Sequence, residues 1–357
     1  MSLSYSKSAI LKPYPGEALS SWMFRVRELV PQPVLYALNN SISYGELNIH
    51  AQHERDEKLG ALKSPYLPSS SFTHKPCDDL DFCFDGEEIQ AFIKAYALSE
   101  SWLRRVFAVP DVPIIPVAYR RGYCYKCMEE GITATGFPIY LKSWRFLLQP
   151  FCMRHCCLLR DGNDFLFERI DFGRKLFQQH WEQHREQLRQ ERIGEENRHV
   201  LALGLRVQMR LQKLFNKSKD SDVRHDMSSF VTTLMRVTLL PSLRFCFDDT
   251  KDITVQGFDE GRINRLDRII DFYHTVRRST SAARGRSLYL IGLMLGWIND
   301  AEAERASITH CNFLPTSPEL IWVNLNRSVG ASQAKSMLKL FSTKDLSVNM
   351  LKGGLEC

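Results

Sequence analysis

Two pairs of metal-ligating side chains stand out: Cys124-x-x-Cys127, and Cys152-x-x-His155 after 24 intervening residues. A C-x-x-C turn puts both sulfurs on one side of the chain. Two such pairs, brought together, give four soft ligands at tetrahedral geometry. A closed set of this kind suits structural zinc, with no position left open for catalysis. Zinc held this way contributes folding free energy directly. The competing reading is four unrelated core residues, and the matched spacing of the pairs speaks against it. Cys156 and Cys157 follow His155 at once, and either can replace it as fourth ligand. His155 is preferred, because the same i, i+3 spacing then closes both pairs.

Other candidate sets are weaker. His74, Cys77 and Cys83, with His50 and His53 upstream, form an irregular group in an acidic, loop-like region. A second zinc site is conceivable there; free thiols and surface histidines are the simpler reading. His180 and His184 lie four apart, within a polar run that reads as a solvated helix face. No phosphate-binding Gly-x-x-x-x-Gly-Lys loop and no Gly-x-Ser-x-Gly elbow occurs, so no catalytic residues are assigned. A basic face is the second informative feature. Arg262, Arg265, Arg268, Arg277, Arg278, Arg284 and Arg286 face only Asp267 and Asp271 in the same stretch. Arginine suits bidentate phosphate contacts, so these residues are candidates for nucleic-acid binding, against the alternative of a solvated helix face. The basic residues around the metal ligands are read as compensating thiolate charge.

The elements that must position these residues are mostly helices. Pro13 and Pro15 forbid helix before Gly16. A helix then opens at Glu17, with Leu19, Trp22, Met23, Val26, Leu29 and Val30 on one face. Pro31 and Pro33 end it, and a short helix follows near residues 34–38. The acidic run from Asp78 to Glu88 reads as a solvated loop feeding a helix over Glu87–Leu98. Ser99 caps the next helix, which turns Trp102, Leu103, Val106 and Phe107 inward. Residues 131–151 read as a turn and a strand-like stretch, making a zinc ribbon or knuckle of the Cys-rich unit. Further helices are expected over 175–192, 200–215, 262–277, 286–297 and 333–341, the last followed by 344–351. That final pair is compatible with a helix-turn-helix. The expected architecture is mainly α and multi-domain: a helical domain over 1–116, a zinc-binding ribbon over 117–165 and a helical domain over 166–357.

Composition limits the function classes. The chain has 357 residues, 44% hydrophobic and 25% charged, so an ordinary core can form. The net charge of +6 permits a nucleic-acid partner without requiring one. The longest apolar run, 288–298, is short of the ~20 residues a membrane helix needs, and the start lacks a signal peptide. A cytoplasmic protein with no membrane partner is expected, its cysteines serving as thiols or metal ligands.

The segment Pro13-Tyr14-Pro15-Gly16-Glu17-Ala18-Leu19-Ser20-Ser21-Trp22-Met23-x-Arg25 resembles the opening P-x-P-x-E-S-L-x-S-W-x-x-R of the TniQ/TnsD family of transposition target-selection proteins. The Cys pairs also resemble that family's, with Trp144-Arg145 between them and Leu158-Leu159 after. Met153 stands where the family's second pair usually has Pro. The resemblance covers about residues 11–161. It implies a bacterial, non-enzymatic adaptor that connects target recognition to the AAA+ regulator TnsC. The chain length is similar to that of TniQ proteins from CRISPR-associated transposons, which ride as homodimers on a guide-RNA Cascade complex. Base pairing would then read the target. The alternative is direct, TnsD-like sequence-specific DNA binding. A zinc-dependent hydrolase is a third class, disfavoured by the closed ligand set.

Overall fold

The computed structural model describes residues 12–29, 79–96, 98–108, 112–116, 119–161, 195–218, 220–239, 276, 279–308 and 314–329. Most of these residues are helical, in nine helices. They fall into two compact units. No described helix is long and apolar enough to cross a membrane.

Unit 1 takes in Leu19–Val109 and the residues up to Pro13. It contains α1 (Leu19–Leu29), α2 (Glu87–Ala95) and α3 (Glu100–Val106). Leu19, Trp22, Met23 and Val26 form the buried stripe the periodicity predicts. The Trp22 ring lies 5.7 Å from Phe92, 5.7 Å from Trp102 and 5.4 Å from Phe107. Ser99 caps α3 by accepting a hydrogen bond from the Trp102 amide. Val106 departs from expectation: it is exposed, and Leu103 and Phe107 carry the inward face. The acidic run differs too. Asp81 is fully buried, and its carboxylate accepts from the Ser20 amide at 2.8 Å, which satisfies an orphan donor at the start of α1. α1 begins at Leu19, where its apolar spacing begins and two residues later than the expected start at Glu17.

Unit 2 joins Tyr14–Ala18 to everything from Pro110 on. Its first part carries β1 (Gly122–Tyr123), α4 (Tyr125–Thr135), a 3-10 turn (Lys142–Arg145), β2 (Phe151–Cys152), β3 (Cys157–Leu158) and β4 (Arg160–Asp161). β1 pairs antiparallel with β4, and β2 with β3. Its second part carries α5 (Glu195–Lys217), α6 (Ser221–Thr238), α7 (Ser281–Met294), α8 (Asp300–Ile308) and α9 (Pro318–Val329). α7 is buried on nearly every face and packs against α5, α6 and α9. Where α5 meets α7 the backbones almost touch: a Cβ on Gly204 would stand 2.4 Å from the Gly285 carbonyl oxygen.

Three expectations meet these findings. The stretch after Cys127 is helix, not turn and strand: α4 runs to Thr135 and ends at Gly136 in the left-handed conformation (φ 77°). The late apolar helix begins at Ser281, five residues before Arg286. The suggested helix-turn-helix over 333–351 lies outside the described residues, as do the helices expected near 34–38 and 175–192; of the one expected over 262–277 only Val276 is described, and it is helical and buried.

Candidate metal centre

The backbone fixes the first ligand pair before any ion is considered. Cys124 is extended and caps α4, and its carbonyl accepts the Met128 amide. Cys127 therefore sits in the first helical turn, one face of which (Cys127, Met128, Gly131) is buried. The second pair rides on a hairpin. β2 pairs with β3 in the register Phe151–Leu158 and Cys152–Cys157, and a turn through Met153–Cys156 carries His155 back toward Cys152. Cys156 makes that turn possible with a positive φ of 48°.

The two pairs converge. The ligating atoms of Cys124, Cys127, Cys152 and His155 all lie within 4.8 Å of one another, and the three cysteines are buried. Cys127 Sγ is 3.5 Å from Cys152 Sγ, and the His155 Nδ1 is 3.4, 3.3 and 3.7 Å from the sulfurs of Cys124, Cys127 and Cys152. An ion with bonds of ~2.3 Å to sulfur and ~2.0 Å to nitrogen needs tetrahedron edges of about 3.5–3.8 Å. The donor set fits such an ion. The thiols also share protons. Hydrogen bonds with Cys127 and Cys152, together with burial, push the Cys124 thiol up, while Cys152, which accepts from Cys124, Cys127 and Cys157, is pushed down.

The question of the fourth ligand has a geometric answer. Cys156 is exposed and its sulfur turns to the Met153 carbonyl. Cys157 Sγ lies 3.7 Å from Cys124 Sγ but does not join the mutually close set. His155 does.

Residues that the sequence reading missed orient this set. Glu130 Oε1 stands 2.9 Å from His155 Nε2, on the opposite side of the ring from Nδ1. With the Nε2 proton held by that carboxylate, Nδ1 keeps its lone pair for a metal. Arg154 Nε pairs with Glu130 at 2.9 Å, and its guanidinium also donates to the Tyr14 hydroxyl. Gln208, fully buried on α5, grips Phe151 from both sides, accepting from its amide and donating to its carbonyl at 3.0 Å each. Asp161, at the end of β4, accepts from the amide and hydroxyl of Ser281 at 2.7 and 2.9 Å, which satisfies the first amide of α7 beside its N-cap Thr280. Burial raises the Asp161 carboxyl; Arg284 and the Ser281 donors oppose that rise. Glu130, Gln208 and Ser281 lie far along the chain from the groups they meet, so no local signal announces those contacts, although the Cys127-x-x-Glu130 spacing places Glu130 one helical turn beyond Cys127.

The other candidate residues fare differently. Arg284 and Arg286 lie inside α7, 1% and 4% exposed, and so stand in the core rather than on an open face. Burial lowers the Arg284 guanidinium to about 10. Arg262, Arg265, Arg268, Arg277 and Arg278 lie outside the described residues. Cys83 is half-buried and free; His50, His53, His74, Cys77, His180 and His184 lie outside the described residues.

Compared with known protein families, with curated proteins and with solved structures, the chain matches none.

Proposed function

We propose that the chain is a TniQ-type transposition adaptor with no catalytic activity of its own. As a homodimer it links an RNA-guided Cascade complex to the AAA+ regulator TnsC, and so brings transposase to the target DNA. The observation that carries this reading is that one stretch of the first motif, Tyr14–Ala18, belongs to the same unit as the Cys pairs of the second. The Tyr14–Ala18 segment lies along the metal-binding part: the Ala18 amide donates to the Tyr140 carbonyl, the Lys142 amide to the Gly16 carbonyl, and Glu17 bridges to Leu141. Glu17 is buried and its carboxylate accepts the Tyr14 amide at 2.8 Å. Trp22 and Arg25 of the same motif are buried in unit 1, where Arg25 donates to the Lys12 carbonyl. The motif residues thus have structural work, as a family signature spread over a scaffold would.

Zinc is the ion this reading assigns to Cys124, Cys127, Cys152 and His155. When bound there it supplies four-way cross-linking and no chemistry on a substrate. Glu130 holds the His155 ring; Arg154 offsets the thiolate charge.

The test is co-elution. The purified chain is mixed with guide-loaded Cascade from the same element and run on size exclusion, with mass and zinc measured on the shifted peak. Two copies per complex, followed by retention of TnsC, is the expected result. Absence of a shift, together with a specific gel shift on attachment-site duplex, refutes the adaptor and favours direct DNA recognition.

A further inference from the structure

Outside the metal centre, α5 carries an unusual distribution of charge. From Arg198 to Lys217 it has Arg198, Arg206, Arg210, Lys213 and Lys217 and not one Asp or Glu. The helix periodicity separates these sharply from the apolar residues. Val200, Val207, Leu211 and Leu214 are buried, whereas Arg198, Arg206, Lys213 and Lys217 are exposed. At 100° per residue the basic side chains share a sector of about 120°. They extend along about 28 Å of helix, since nineteen steps of 1.5 Å separate the first from the last.

The charges are only partly neutralised. Arg206 is clamped by Glu302 and the Trp297 carbonyl. Arg210 lies 4.8 Å over the Trp297 ring, and burial and the neighbouring Arg206 both lower its guanidinium. Arg210, Lys213 and Lys217 have no carboxylate partner among the residues whose side chains are described. Arg206 and Arg210, Arg210 and Lys213, and Lys213 and Lys217 are helix neighbours of like charge, an arrangement that destabilises a free helix. A polyanion laid along the stripe relieves that repulsion.

We propose that the exposed face of α5 is a docking surface for the phosphate backbone of duplex DNA. The choice of a duplex follows from the face itself. It is lined by Lys and Arg over about 28 Å, and its exposed residues include no Phe, Tyr or Trp on which a run of unpaired bases could stack. The choice of DNA rests on the proposed function, which puts the protein at a DNA target. The contacts are with phosphates, so they position without reading sequence.

The experiment measures fluorescence anisotropy of a labelled duplex of arbitrary sequence, titrated with the full chain at several salt concentrations. It needs neither Cascade nor TnsC, so its failure is separable from failure of the adaptor reading. Lys213→Gln/Lys217→Gln is compared with Lys94→Gln/Arg105→Gln, which removes the same charge from exposed residues of unit 1. The α5 variant is expected to bind roughly tenfold more weakly or worse, and its salt slope to be shallower by about two. The unit 1 variant is expected to keep both. Absence of binding by the wild type at low salt, or equal losses in the two variants, overturns the proposal. Tighter binding of duplex RNA overturns the choice of DNA. Displacement by polyglutamate as effective as by DNA assigns the face to an acidic protein and overturns it as well.

Discussion

Replacing Glu130 with Gln should weaken metal binding by about tenfold. The side chain keeps its length and its acceptor oxygen and loses only its charge. In the structure Glu130 Oε1 is 2.9 Å from His155 Nε2, so the carboxylate holds the ring with Nδ1 directed at the three sulfurs. Partners of this kind typically govern 10–100-fold in metal affinity. Two features place Glu130 at the lower end. Its side chain is 39% exposed, so water screens it, and Arg154 draws on the same carboxylate at 2.9 Å. Tenfold corresponds to about 1.4 kcal/mol. The assay is competition for zinc against a coloured chelator, comparing wild type, Glu130→Gln, Glu130→Ala and His155→Ala. The expected order of affinity is wild type, Gln, Ala at 130, then Ala at 155. If His155→Ala falls while both Glu130 variants match wild type, Glu130 does not position the ring. If His155→Ala itself matches wild type, the fourth ligand is Cys157 and the geometric argument fails.

Other outcomes follow from the same contacts. Cys127→Ser should lower bound zinc and the melting temperature of unit 2; full zinc content with unchanged melting, by metal analysis and calorimetry, contradicts the ligand assignment. Gly204→Ala should destabilise by up to about 2 kcal/mol. The overpacking cost of roughly 1–3 kcal/mol against the Gly285 carbonyl exceeds the ~1 kcal/mol gain in helix propensity, and a rise in urea midpoint would disprove the close crossing. Gln208→Leu should cost about 2–4 kcal/mol in the same urea assay, because it strands the buried Phe151 amide and carbonyl; a near-neutral result would mean that water reaches them. Glu302 is held down to about 2, first by its hydrogen bond from Arg206. Its folded value lies below the unfolded one, so its contribution is full above about pH 4.5 and is lost as pH falls toward 2. Glu302→Gln should remove that part of the acid dependence, read as urea midpoints across this range.

What could be read from the sequence was whatever depends on local spacing. The stripe through Leu19, Trp22 and Val26, the Ser99 cap and the ligand pairs are each defined within one or two turns of chain. The α4 helix was hidden because Gly131, Thr133 and Thr135 are poor helix formers. It is held by tertiary burial of Cys127 and Met128, and by the two threonine hydroxyls, which bond back to Glu129 and Gly131. Arg284 and Arg286 read as part of an exposed basic face, a candidate for nucleic-acid binding, because charge is usually exposed; α7 is instead enclosed, and Asp161 opposes the cost at Arg284. Asp81, Gln208 and Asp161 find their partners 61, 57 and 120 residues away. No window along the chain contains both ends of such a contact.

Those long contacts explain why the metal would matter beyond its ligands. The strands that carry Cys152 and Cys157, or that lead into Cys124, are two residues long, and strand pairs of that size are not stable alone. A four-coordinate ion would tie both pairs at once. From these pairs run the Phe151 backbone held by Gln208 on α5 and the Asp161 carboxylate that takes the first amide of α7. Tyr140 and Lys142, on the loop between the ligand pairs, hold the Tyr14–Ala18 segment. An ion in this place orders the N-terminal motif and the start of the central helix together. A site with no open coordination position would in this way act structurally: it would fix the relative placement of surfaces within unit 2, which is what the proposed adaptor role asks of it.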